Sequence, residues 1–165
     1  MPAEIIDIND LVANDYEPLR QHRWILGIDR KDLDAFTARS WSRPHIGMGE
    51  IVIDYINDKR YLAGKAEPQT MTLVLNDPIS PSASQKVMEW INATYETLSG
   101  RAGYAAIYKK RIYLKMLDPA GVVAQTWELI GTWINDVDFG TLDYATADPV
   151  QITLTLRFDK AVIIQ

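Results

Sequence analysis

Cysteine is absent from the 165-residue sequence, and histidine is nearly absent, with only His22 and His45. Without cysteine, disulfides, thiolate metal sites, iron–sulfur clusters and cysteine nucleophiles are excluded together. The two histidines do not form the H-x-x-x-H or H-E-x-x-H spacing of a metal-binding helix. The sequence therefore predicts no catalytic residue, no metal site and no cofactor, and stability has to come from packing or from assembly.

Long apolar runs and an excess of positive charge are also missing. No segment approaches the roughly 20 apolar residues of a membrane helix, and residues 1–10 do not show the pattern of a signal peptide. Seventeen Lys and Arg against 22 Asp and Glu give a net charge of -5, which argues against a free-standing nucleic-acid binder. We expect a protein made in a cytoplasm that does not insert into a membrane.

Length and charge distribution predict two parts. A single core typically uses roughly 100 to 200 residues, so residues 21–165 are expected to form one domain. Residues 1–19 contain five acidic residues and no Lys or Arg. We therefore predict an acidic N-terminal arm, residues 1–20, which orders against something else. A frayed terminus is the alternative. The five acidic residues are Glu4, Asp7, Asp10, Asp15 and Glu17.

Segments with a period of two follow the arm and predict strands. The clearest is 151–158, where apolar and polar residues alternate strictly. The turn sequence Asp118-Pro119-Ala120-Gly121 has proline at its second position, so 112–117 and 122–134 should form a hairpin. The other predicted strands are 23–28, 35–42, 50–56 and 71–75, and a strand is predicted within the hairpin at 126–134.

One segment, 82–99, has the period of a helix instead. The apolar residues Val87, Met88, Ile91, Tyr95 and Leu98 recur at spacings of three and four. Ser82 or Ser84 can cap its start, and Gly100 can end it. The balance of elements predicts a mainly β (α+β) fold, a β-sandwich or partial barrel with one packed helix.

Five tryptophans are many for this length, and large aromatic side chains are favoured in cores and subunit contacts. Trp127 and Trp133 share parity with Leu129 and Gly131, so we expect both to line a buried face. A face that stacks on sugars is the functional alternative. The remaining tryptophans are Trp24, Trp41 and Trp90.

Lys109, Lys110 and Arg111 stand among tyrosines and form the one basic-aromatic cluster. Such a cluster can stack on and neutralise nucleic acid. The structural alternative is a contact between subunits, in which Asp7 and Asp10 of the acidic arm pair with this cluster on a neighbouring copy.

The order of these elements resembles the tail tube proteins of contractile-tail bacteriophages, which are related to the tubes of pyocins and type VI secretion. The resemblance covers about 24–162. Two departures occur: the family often has Arg-Pro-Asn where this chain has Gln21-His22-Arg23, and Leu-Pro-Gly where it has Ser42-Arg43-Pro44. The matching features, in order, are the strand 71–77 ending in Asn-Asp, Lys86–Trp90 on the helix, Tyr108-Lys109-Lys110, the Gly-Thr-Trp strand 129–134 and the closing strand 152–158.

The resemblance implies a structural virion protein and not an enzyme. Six copies would close into a ring whose inner strands form one continuous barrel, and rings would stack into a hollow tube inside a contractile sheath. The implied partners are copies of itself, the sheath, the tape-measure protein and baseplate or tube-terminator proteins, with assembly in the host cytoplasm. Two alternatives stay open: a tube-initiator or tube-cap relative, and a monomeric β-sandwich that binds sugar or peptide.

A DNA conduit must not bind its cargo, because each phosphate contact would add affinity and friction. The lumen should therefore be polar and neutral to acidic. By resemblance, 42–66 and the acidic arm are candidates for contacts between rings. The candidate wet-face positions are Glu50, Asp54, Glu128, Thr132, Thr153 and Thr155.

Overall fold

Strands dominate the computed structural model, which describes residues 17–28 and 37–164. The predicted mainly β fold with a packed helix is confirmed. The acidic arm lies outside the described residues except for 17–20. The strands are β1 (Trp24–Ile28), β2 (Ala38–Trp41), β3 (Ile46–Asp54), β4 (Lys59–Pro68), β5 (Met71–Asn76), β6 (Tyr95–Glu96), β7 (Arg101–Ala102), β8 (Lys110–Leu117), β9 (Val123–Asp138), β10 (Gln151–Arg157) and β11 (Lys160–Ile163). The helices are α1 (Ala83–Thr94) and α2 (Ala105–Tyr108).

The main sheet runs in the order β1-β8-β9-β10-β5-β2, and every neighbouring pair is antiparallel. The first half of β9 lies between β8 and β11, and its second half pairs with β10. β9 therefore joins the part of the sheet that contains β1, β8 and β11 to the part that contains β10, β5 and β2. The two parts fold over a shared core as a partial barrel. The predicted hairpin is confirmed as β8 and β9.

Alternation along the strands places the core on one face of each. Leu73 and Leu75 of β5 and Ile152 and Leu154 of β10 are fully buried, and Leu73 pairs directly with Leu154. Residues from α1 join the same core cluster. The period of two in the sequence therefore arises because one face of the sheet is buried and the other is exposed to solvent.

Helix α1 ends at Thr94, five residues before the predicted end. Tyr95 adopts an extended conformation with φ -152° and ψ 116° and pairs with Ala102 in the short β6–β7 ribbon. The side chains of Tyr95 and Leu98 are consequently exposed. They do not continue the apolar stripe of the helix, so that part of the prediction is wrong.

Asp77 organises the start of α1. Its carboxylate accepts hydrogen bonds from the backbone N–H groups of Ala83, at 2.8 Å, and Ser84, at 3.2 Å, and from the hydroxyls of Ser82 and Ser84. Ser82 is the N-cap, as predicted, and accepts from the N–H of Gln85. Burial acts to raise the pKa of Asp77, but hydrogen bonds from Ser84 and its neighbours outweigh it, so this pKa lies below its ordinary value.

We expect Asp77→Ala to lower the free energy of unfolding by about 1 to 2 kcal/mol at neutral pH, the usual cost of losing a cap. Because the folded-state pKa is lowered, the ionised group stabilises the fold above the ordinary carboxyl pKa of 3.8. That contribution is lost as the pH falls through the folded-state pKa. Urea unfolding at pH 7 and at pH 3 measures both effects. Glu89→Ala, on the exposed side of α1, is the control, and an Asp77 effect of equal size at both pH values would contradict a role for the charge.

A bulge at Gly131 reverses the side-chain parity of β9. Gly131 has φ +70°, and the pairing of β8 with β9 shifts between Lys110↔Thr132 and Ile112↔Leu129. Leu129 and Thr132 are therefore both turned inward, and both are fully buried. The prediction of Thr132 as a wet-face position is wrong for this reason.

The same bulge separates the two tryptophans of β9. Trp127 keeps the parity of Leu129, whereas Trp133 faces away from the buried Ile134 beside it. Both side chains are half-buried, and Trp133 makes an edge-to-face contact with Tyr108 at 6.4 Å between ring centroids. The expectation that both tryptophans line one buried face is therefore wrong.

Candidate assembly surface

The strands β3 and β4 form a two-stranded ribbon, residues 46–68, that pairs with no other strand of the described chain. At about 3.4 Å per residue, the nine residues of β3 reach roughly 30 Å. A hairpin alone is marginally stable in water. The ribbon is therefore expected to gain stability from a neighbour.

Both faces of the ribbon carry exposed apolar side chains beside charged ones. Ile51 pairs with Leu62 on one face, face A, and Val52 pairs with Tyr61 on the other, face B. All four side chains are exposed, Tyr61 by 62% and Leu62 by 53%. Packing against one surface would cover only one face, so a ribbon of this kind fits between two partners. Other large apolar side chains exposed along it are Ile46, Met48, Ile53, Tyr55 and Ile56.

Open sheet edges are the second feature through which another chain can pair with this one. Among the described strands, β1 and β2 each end the main path and pair on one side only, and β11 pairs only with β9. Edge strands present unpaired N–H and C=O groups that template further pairing. Ile25 of β1 and Ile163 of β11 are about half exposed, so these edges also carry apolar side chains.

The predicted wet-face residues do not form one surface. Glu50 and Asp54 lie on the ribbon, where Asp54 is 3.4 Å from the ammonium of Lys59. Glu128 lies on the first half of β9 and accepts from the hydroxyl of Tyr113 at 3.3 Å. Thr153 and Thr155 lie on β10, on the other half of the sheet.

A polar strip surrounds Thr153 and Thr155 on the wet face of β10. Thr153 pairs with Asp138, and Thr155 pairs with Asp136 on one side and with Thr72 on the other. Directly paired residues share a face, so these five residues form the polar strip, which has two acids. The same face of β10 also carries Arg157, two residues beyond Thr155, and Val74 of β5 lies opposite Thr153. The predicted wet-face residues did not include Asp136, Asp138 or Thr72. The pairing of distant strands brings them together, and the only local signal was the two acids near the end of β9.

The basic cluster is engaged within its own chain. The ammonium of Lys109 lies 2.7 Å and 2.9 Å from the two carboxylate oxygens of Asp159. The ammonium of Lys110 lies 4.5 Å from the centroid of the Trp90 ring, a cation–π contact. Arg111 donates to Glu128 at 3.3 Å. Pairing with Asp7 and Asp10 of another copy stays a prediction, because both lie outside the described residues.

Metal-binding clusters and membrane-spanning helices are both absent from the part of the chain described. Within 17–28 and 37–164, no three His, Asp or Glu side chains come together in a way that could hold a metal ion. Neither of the two described helices is long and apolar enough to cross a membrane.

Solved structures of contractile systems share this fold. A chain in the cryo-EM structure of the sheath/tube terminator of PVC, an extracellular contractile injection system, has a TM-score of 0.74 at 19% identity and covers 93% of this chain and 100% of its own length. A chain of the anti-feeding prophage tube terminating cap has the same TM-score and identity, covering 96% and 98%. Hcp1 from Flavobacterium johnsoniae has a TM-score of 0.54 at 10% identity, covering 86% and 94%.

These likenesses show a shared fold, the tail-tube-like fold that the sequence resemblance implied. No protein-family model and no curated protein matches the sequence. The match to the PVC and prophage structures runs over nearly the whole of both chains, 93% and 96% of this one.

Proposed function

We propose that this chain is a structural tube subunit of a contractile particle, in which hexameric rings stack into a hollow conduit inside a sheath. The observation that carries the proposal is the ribbon, which exposes large apolar side chains on both faces and has no partner strand within the described residues. A stack of identical rings places a neighbour on each side of every ribbon through one repeated contact. Copies of the same chain are therefore the first partners.

The open edges of β1, β2 and β11 supply the contacts within a ring. Six copies that join edge to edge turn six partial barrels into one closed wall, and closure is the arrangement that removes exposed edges altogether. No enzymatic step is part of this role. The sheath, the tape-measure protein and baseplate or terminator proteins are the further partners implied by the resemblance.

The polar strip is the proposed lumen lining. It carries hydroxyls and two carboxylates, and these groups repel phosphate or bind it weakly. DNA could therefore slide past without being held. Glu50 and Asp54, on the ribbon, belong to the contacts between rings in this arrangement, and Glu128, on the half of the sheet away from the strip, belongs to another surface.

Electron microscopy of the purified full-length chain tests the proposal. We expect six-fold rings about as thick as one subunit, and stacks of rings as the protein concentration rises. Size-exclusion chromatography with light scattering gives the mass of the same sample. A monomer at every salt and protein concentration, with no ring on the grid, would overturn the proposal.

A terminator or cap role is the second candidate. Two of the matched structures are described as a sheath/tube terminator and a tube terminating cap. A terminator needs a stacking contact on one side only, so it should form single rings that do not grow. Tubes of many rings therefore favour the repeating subunit, and single rings that bind the end of a preformed tube favour the terminator.

A further inference from the structure

The ribbon and the loop between β9 and β10 lie at opposite ends of the same strands. Residues 42–45 join β2 to the ribbon and residues 69–70 join the ribbon to β5, so the ribbon leaves the sheet where β5 begins. At the other end of β5, Asn76 pairs with Gln151, the first residue of β10. The loop 139–150 therefore lies at the end of the sheet away from the ribbon.

Large apolar side chains are exposed at both of these ends. The side chain of Ile56, at the tip of the ribbon (residues 54–60), is fully exposed. At the opposite end, Tyr144 of the loop and Ile79, which follows β5, are fully exposed, and Leu142 of the loop is largely exposed. Exposed apolar groups gathered at one place mark contact sites. A head-to-tail contact between two copies would cover both ends at once.

The loop and the start of β10 form a pocket of about 640 Å³, a size in the range of ligand-binding pockets. No described Lys or Arg lines it, whereas two carboxylates do. Asp143 accepts from the backbone N–H of Ala145 at 2.9 Å, but no described cation forms an ion pair with Asp148. The pocket therefore suits a partner that supplies an apolar group and a cation. We call it the β9–β10 pocket, and its lining includes Leu142, Asp143, Tyr144, Asp148, Val150 and Thr153.

The tip of the ribbon supplies both of these groups. Ile56 is the apolar group, and the exposed Arg60 is the cation. The guanidinium of Arg60 lies 5.7 Å from the centre of the Tyr55 ring, and no described carboxylate forms an ion pair with it. A guanidinium over a ring keeps the N–H groups at its edge free to bind a carboxylate. Lys59, the other cation of the tip, already lies 3.4 Å from the carboxylate of Asp54.

The ribbon is long enough to reach another subunit. At about 3.4 Å per residue, β3 reaches roughly 30 Å, whereas the six residues of β5 reach roughly 20 Å. Nearly every residue of β3 and β4 is exposed, so the ribbon stands away from the body of its own chain. Its tip is therefore free to contact a different copy.

We propose that the tip of the ribbon of one subunit binds the β9–β10 pocket of a subunit in the neighbouring ring. Ile56 would pack against Leu142 and Tyr144, and Arg60 would pair with Asp148. Because the two surfaces lie at opposite ends of the strands, one repeated contact joins ring to ring without limit. This inference rests on the proposed function and names the surface that receives the ribbon.

Disulfide cross-linking tests the contact, and the cysteine-free sequence gives it a clean background. The full-length double variant Asn57→Cys/Thr146→Cys places one thiol on the tip and one in the lining of the pocket, both at exposed positions. Mild oxidation of tubes of many rings should give a ladder on a denaturing gel that runs past six subunits. A contact within a ring would give a ladder that ends at six.

The controls for this experiment use the same tip position. Asn57→Cys/Thr97→Cys has its second thiol in the exposed turn between β6 and β7, and it should give no ladder. Neither Asn57→Cys nor Thr146→Cys alone should cross-link beyond this background. Electron microscopy of the same samples counts rings and stacks.

Each result of this experiment decides something. A ladder that runs past six subunits supports the inference. A ladder that ends at six, or stacked tubes that give no ladder above the control, overturns the inference and leaves the proposed function standing. Single rings that never stack overturn the inference and favour the terminator role. If the unmodified chain forms no rings, the inference and the proposed function are both wrong.

Charge reversal provides an independent readout that needs no cysteine. Arg60→Glu should raise the protein concentration needed for stacking roughly tenfold, the effect of losing one favourable charge contact across an interface. Asp148→Arg combined with Arg60→Glu should restore part of that loss, because the pair forms again with its charges exchanged. Arg101→Glu, an exposed charge reversal on β7, is the control. Equal effects of the Arg60 and Arg101 variants, or no rescue, would overturn the pairing.

Discussion

Replacing Ile51 and Leu62 with aspartate is expected to leave the subunit folded and to abolish ring stacking. These residues form face A of the ribbon, and burying an apolar side chain of this size contributes about 1.5 to 3 kcal/mol. Losing two of them weakens each contact by about 3 to 6 kcal/mol, which is roughly 10²- to 10⁴-fold in association. Electron microscopy counts rings and stacks, and circular dichroism checks the fold.

The opposite face provides the sharper part of this experiment. Val52→Asp/Tyr61→Asp changes face B alone, and we expect the same loss of stacking because a ribbon between two partners needs both faces. Leu98→Asp, which changes an apolar residue that is 99% exposed outside the ribbon, should leave stacking intact. If only one face matters, the ribbon lies on a single partner and is not inserted between two.

Tubes carrying Asp136→Lys/Asp138→Lys are expected to bind DNA, whereas wild-type tubes do not. The change puts two cations per subunit, twelve in a proposed six-membered ring, on the polar strip. Each phosphate contact steepens the salt dependence of the binding constant, by about 0.7 to 0.9 logarithmic units per unit of log salt. A labelled oligonucleotide protected from nuclease, and released by raised salt, measures retention inside the tube.

Glu89→Lys is the control for this experiment, since it makes one replacement of an acid by lysine on the exposed side of α1. DNA bound to the outside of a tube stays open to nuclease, so this variant should give no protected DNA. Tubes that form with lysine at 136 and 138 but retain no more DNA than the control would show that the polar strip does not line the lumen.

Strict alternation made the central strands predictable. β5 and β10 were predicted nearly to their ends because each alternates between a dry and a wet face, and the β8–β9 hairpin followed from its proline turn. β4 was missed because its residues are mostly exposed and show no alternation in burial. Its strand conformation depends on pairing with β3.

The candidate surface was harder to predict than the fold. Thr132 was misplaced because the sequence does not show that Gly131 forms a bulge. A glycine at a bulge and a glycine in a regular strand look the same in the apolar pattern. The partners of Lys109 and Arg111 lie 50 and 17 residues away, and only the tertiary fold brings them close. The polar strip likewise depends on the register of three strands.

A ribbon that lacks support on a free subunit has a consequence for the timing of polymerisation. In the proposed tube, two free subunits would gain only one of the two contacts that each ribbon requires, so a filament would start slowly. A subunit that docks onto an existing end would meet a ribbon already supported on its other face. Growth would then show a lag that seeds abolish. Free subunits would then accumulate until a seed is present. The number of filaments would be set by the number of seeds.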